Sequence, residues 1–86
     1  MTMNTKFLNE KDFYKTADLN LASVIFLSYP LEAIDRQNPK KSQFLFKHDK
    51  KLDELIESFW RGELKVEPQA YFGALRNIKA RLYGGN

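Results

Sequence analysis

The sequence predicts an α+β fold: a compact single domain in the order α-β-β-α-α, in which three helices cover one face of a β-hairpin. Three observations carry this. Apolar residues recur at helical spacing in three separate stretches. Between the first and second stretches lie two extended runs joined by a turn at Asn38-Pro39. Asp, Pro and Gly stand where those helices must begin and end.

Each element follows in order. Residues 1–11 are largely polar, with Phe7 and Leu8 isolated, and read as a flexible N-terminal arm before a domain at 12–83. FYKT at 13–16 has the aromatic and β-branched character of a short extra edge strand. Asp18 is placed to cap the first helix. There Leu19, Ala22, Ile25, Phe26 and Tyr29 form one stripe, and Leu21, Val24 and Leu27 widen it. A helix apolar on most sides is either deeply buried or half of an interface. Pro30 ends it, because the residue before a proline disfavours helix. LEAIDR at 31–36 and SQFLFK at 42–47 read as paired strands, with Asn38 and Pro39 in the first two positions of the turn. Asp49 suits the cap of a second helix carrying Leu52, Leu55, Ile56, Phe59 and Trp60, and Gly62 suits its end. ELKV at 63–66 is an extended link. Pro68 opens a third helix with Tyr71, Phe72, Leu75, Ile78 and Leu82 as its stripe, and Gly84-Gly85 close it, leaving 84–86 as a tail.

Composition narrows the function classes. Eighty-six residues make one small domain, and 43% hydrophobic with 29% charged is ordinary globular composition. The absence of cysteine excludes disulfide scaffolds, thiolate metal sites and cysteine nucleophiles, and suits a reducing cytoplasm. The longest apolar-rich run, residues 19–31, is interrupted by Asn20, Ser23 and Ser28 and falls short of the roughly 20 residues that span a bilayer. No membrane role and no signal peptide are expected.

Three stretches, FYKTADLNLA, NPKKSQFLF and FWRGELKVEPQAYFGALRNIKARLY, resemble a small domain family of bacterial, archaeal and phage proteins, catalogued only as a domain of unknown function. The resemblance covers roughly residues 12–83, and its most specific piece is F-W-x-G-E-x-K-V-x-P. It implies a self-standing α+β unit and supplies no catalytic residue. Glu67 stands before Pro68 where a shorter acidic cap is expected.

The other candidate sites have plain structural roles. His48 is the sole histidine, among Lys47, Lys50 and Lys51, with no cluster of further ligands or a positioned base partner; it reads as an exposed strand-end residue. Asp53, Glu54 and Glu57 read as the solvated side of the second helix, with Glu54 in range of Lys50 or Lys51. Gly62 lacks the spacing of a phosphate loop. Phe59 and Trp60 read as core anchors. Phe44 and Phe46 belong to the core, because burying a Phe stabilises by about 1.5–3 kcal/mol and a small domain cannot forgo that twice.

The lysines of the hairpin are different, since no core accepts them. Net charge is only +3, but Lys40, Lys41, Lys47, Lys50 and Lys51 crowd one stretch and Arg76, Lys79 and Arg81 another. A two-stranded ribbon fits a nucleic-acid groove and its tip lysines can meet phosphates. The sequence therefore points to a non-enzymatic protein that binds DNA or RNA nonspecifically, without a cofactor or metal. The alternative is a protein-interaction module or homodimer using Leu21, Val24 and Leu27 of the first helix. No nucleophile, base and orienting group can be assembled for an enzyme.

Overall fold

The computed structural model describes residues 12–84, so the arm at 1–11 and residues 85–86 of the tail lie outside the described residues. The chain runs β1 (Phe13–Thr16), α1 (Leu19–Phe26), β2 (Leu31–Asp35), β3 (Gln43–Lys47), α2 (Lys50–Arg61) and α3 (Pro68–Gly84). The hairpin and three helices stand as expected, and FYKT is indeed a strand. β3 lies in the centre of an antiparallel sheet of order β1-β3-β2. α1 therefore carries the chain from one edge strand to the other, and the second strand of the hairpin fills the space between them.

The central position of β3 explains its two phenylalanines. Phe44 and Phe46 point to the same face by the two-residue period of a strand. Phe44 faces Thr16 on one side and Ile34 on the other, and Phe46 faces Tyr14 and Leu31. Both are buried in one cluster with Leu21, Ala22, Ile25, Leu52 and Ile78, one residue set from each helix.

Leu31 and Ile34 pack together against this cluster although they are three residues apart, which strict alternation forbids. The register resolves this. Leu31 pairs with Phe46 and Ala33 with Leu45, so Glu32 is an extra residue on β2, a bulge that returns Ile34 to the inner face. The opposite face of the sheet carries Phe13, Lys15, Ala33, Gln43, Leu45 and Lys47 by the same registers.

α1 is apolar all round because it is surrounded. It packs on α2 and α3 and its side chains meet the sheet. Residues 21–25 are all buried, and the Ser23 hydroxyl donates to the Leu19 carbonyl at 2.8 Å, so no polar atom is orphaned there. The Asp18 carboxylate accepts from the Leu21 amide at 2.9 Å, and Thr16 Oγ1 accepts from the Asp18 amide. The helix proper ends at Phe26, earlier than the apolar stripe suggested. Leu27 and Ser28 donate to carbonyls three residues back, tightening the last turn before Pro30, a residue that disfavours helix at the position preceding it.

The other helix ends follow the same logic. Asp49 caps α2 by accepting from the Leu52 amide at 2.8 Å, and Gly62 closes it in the left-handed region at φ 72°, where a side chain is disfavoured. Glu67 caps α3 despite its length: its two carboxylate oxygens accept from the Gln69 and Ala70 amides at 3.1 and 2.8 Å. The longer side chain folds back and does the work of a shorter cap. Tyr71 then ties α3 to α1 through a 2.7 Å hydrogen bond to Asn20. No helix among the described residues is long and apolar enough to cross a membrane.

Candidate nucleic-acid interface

The turn between β2 and β3 is locked from within. The Lys41 amide donates to the Asn38 carbonyl at 3.0 Å, and Asn38 Oδ1 accepts from the Lys40 amide at 3.0 Å. This is a β-turn with Asn38 and Pro39 in the expected places, reinforced by an Asx turn. Asp35 Oδ1 accepts from the Gln37 amide on the way in. That bond is the largest cause that holds the Asp35 carboxyl below the usual carboxylate range; desolvation opposes it, and the Lys15 ammonium at 3.5 Å adds a smaller lowering effect. Lys40 and Lys41 thus project from a fixed backbone, and neither has a carboxylate within 4 Å among the described residues.

Arg36 has another task. Its guanidinium donates to the Leu82 and Arg81 carbonyls, both at 2.9 Å, across to the last turn of α3. Those carbonyls are among the four that a helix end leaves without partners, and a cation is favourable there. The clamp brings the C-terminal end of α3 beside the hairpin tip. Between them lies an open groove of about 500 Å3. Leu19, Phe44 and Leu82 supply its apolar floor, Arg36, Lys40 and Lys41 one rim, and Tyr83 the other; among the described residues no carboxylate lines it.

The eight basic residues singled out in the sequence do not form one patch. Lys47, Lys50 and Lys51 sit at the opposite end of β3 from Lys40 and Lys41, roughly 20 Å away along the strand. Arg76 and Lys79 lie on the outer face of α3, where with Phe72 and Leu75 they line a shallow hollow of about 260 Å3. Arg81 leaves that group: its guanidinium lies 5.2 Å from the centre of the Phe26 ring, on the other side of the helix. Arg81 is a packing residue here, and its place in the second basic patch is corrected.

The first-helix interface needs a similar correction. Leu21 is fully buried and Val24 is 6% exposed inside this same chain, so of the three residues only Leu27, at 37%, reaches the surface. α1 is apolar all round because it is the central helix of the domain. The apolar residues that do reach the surface lie elsewhere, notably Trp60, Phe72 and Tyr83. Trp60 and Phe72 were expected in the core. The helical-wheel angles could have revealed Phe72: at 100° per residue, Phe72, Arg76, Lys79 and Tyr83 fall within one narrow arc.

His48 Nε2 lies 2.8 Å from Asp53 Oδ1, so the histidine is paired across the strand–helix junction. Tyr29 reaches the same junction. Its hydroxyl donates to the Asp49 carboxylate at 2.7 Å, which pushes the phenol up to about 12 and holds the Asp49 carboxyl below its usual range. Asp49 therefore joins the end of α1 to the start of α2 while capping the latter. Among the described residues no group of three or more His, Asp or Glu side chains could hold a metal ion.

The chain belongs to the family described as a domain of unknown function (DUF5659), which matches residues 11–84. No curated protein and no solved structure matches it.

Proposed function

We propose that this member of a family of unknown function is a small, non-enzymatic nucleic-acid-binding domain that contacts phosphates through the tip of its basic hairpin. The observation that carries the reading is the state of Lys40 and Lys41. They stand on a turn held by its own hydrogen bonds, on the rim of a groove that no carboxylate of the described residues lines, and no acid of the described chain takes up their charge. Two ammonium groups on a fixed turn, unpaired among the described residues, are suited to phosphate, since they need not first break an ion pair there. The groups make sequence-independent contacts, so the domain positions itself on a backbone and does not read bases. With no cysteine in the chain, a cytoplasmic setting fits this role.

The test is binding of a labelled oligonucleotide, as duplex and as single strand, followed across salt. Affinity should fall steeply with rising salt. Replacing Lys40→Glu together with Lys41→Glu should abolish binding with the melting temperature retained. Unchanged binding by that folded variant would refute the role of the tip.

A second reading, a protein-interaction module or homodimer, draws on one observation. Trp60 is 62% exposed beside Phe59, next to an apolar groove of about 340 Å3 lined by Val24, Phe59, Leu64, Val66 and Tyr71. Light scattering that shows a monomer at high concentration would remove the homodimer from that reading.

A further inference from the structure

Resting on the nucleic-acid reading and deepening it, we infer that the ligand is a single strand, carried on a track along α3 that ends in the hairpin groove. Phe72, Arg76, Lys79 and Tyr83 follow one another at four-, three- and four-residue steps on the outer face of α3. The stripe alternates ring, cation, cation, ring over roughly 16 Å of helix. Phe72 is 56% and Tyr83 77% exposed, which is unusual for rings this large in a domain with so little core to spare. The stripe does not stop at the helix end. Tyr83 is also one rim of the groove whose other rim is Lys40 and Lys41, so the two cationic groups join through an aromatic side chain.

Two features select a single strand over other partners. The first is chemistry: exposed rings offer stacking platforms only to bases that are out of a duplex, and cations between the rings meet the phosphates that link those bases. The second is charge. α3 contains no acidic residue, none of the described residues lining the groove is acidic, and Arg76 and Lys79, like Lys40 and Lys41, have no ion pair with any described residue. A duplex would reach the lysines of the tip but leave both rings in water.

The experiment compares a labelled oligothymidylate with a duplex of equal length by fluorescence anisotropy, using the full chain. The single strand should bind more tightly. Phe72→Ala and Tyr83→Ala should each weaken it roughly 5- to 150-fold, the range that one lost base stack produces, and leave duplex binding unchanged. Tyr83→Trp should restore it. The slope of log affinity against log salt for the single strand should be about −3, from four phosphate contacts at ~0.7 each, and neither alanine variant should alter it. Both rings are largely exposed, so both variants should melt as the wild type does. Equal binding of the two ligands, or alanine variants that bind the single strand as well as wild type, overturns the track and leaves the hairpin reading standing. Absence of binding to both ligands overturns the two together. Self-association that depends on Phe72 and Tyr83, with no effect on oligonucleotide affinity, assigns the stripe to a second copy of the chain and also overturns the inference.

Discussion

Arg36 offers the sharpest test of how the groove is assembled. Arg36→Met keeps a stem of similar length and removes every donor, so the Arg81 and Leu82 carbonyls lose two bonds of 2.9 Å. A hydrogen bond contributes roughly 0.5–1.5 kcal/mol net, and a cation at a helix C-terminus about 0.3–1 kcal/mol. Both carbonyls lie near solvent and can rehydrate once released, which places the cost in the lower half of the sum, about 1.3–2.7 kcal/mol. In a domain of this size that lowers the melting temperature by roughly 5–20 °C. Arg36→Lys restores the charge but not the fork that serves two carbonyls together, so it should recover only part of the loss. Thermal unfolding followed by circular dichroism measures both variants. Amide exchange should locate the damage in the last turn of α3 and leave β3 protected. If Arg36→Met melts as the wild type does, or Arg36→Lys is indistinguishable from wild type, the forked clamp does not hold α3 against the hairpin.

Two further outcomes test the fold and its charges. Phe46→Ala, at a fully buried site in the central strand, should cost about 3–5 kcal/mol in urea unfolding, whereas Leu45→Ala, on the opposite face, should cost well under half as much; equal costs would mean that both faces of the sheet are covered. Ultraviolet titration should show one tyrosine ionising near 12, moved back into the ordinary range by Asp49→Asn. The signs follow from linkage. Asp49 and Asp35 are depressed when folded, so their stabilisation is present above the ordinary carboxylate value of 3.8 and is lost as pH falls through the lower folded values. Tyr29 is raised, so its stabilisation is full below 10.0 and disappears as pH rises towards 12.

What could be read from the sequence was what each residue dictates locally. Asp18, Asp49, Gly62 and Pro68 mark helix ends by their own chemistry, and the turn at Asn38-Pro39 is specified by the side chain and ring within it. The alternation of Phe44 and Phe46 placed them in the core without knowledge of their neighbours. What could not be read depended on a distant partner. The bulge at Glu32 exists only relative to β3, and the two-sided pairing of β3 only once β1 has crossed the domain. Arg36 and Leu82 are 46 positions apart, so nothing local distinguishes this arginine from the lysines that follow it. The apolar breadth of α1 suggested a second copy of the chain because the sequence gives no measure of how completely one small domain can surround its own helix.

The candidate site emerges from that same division. Positive side chains along the hairpin and α3 look alike in a charge count, but the fold separates them by the partners it offers. Arg36 is taken up by helix carbonyls, Lys15 by Asp35, and Arg81 by the ring of Phe26. Lys40 and Lys41 have no ion pair with any described residue, and Arg76 and Lys79 lie on a helix without an acid. Arg36 then contributes indirectly. By holding the end of α3 against the hairpin, it places Tyr83 opposite Lys40 and Lys41 and turns two separate groups of cations into one surface. On the proposed function, a cation used for folding thus creates the place where the others would act, and the total of eight basic residues would say less about binding than the position of four.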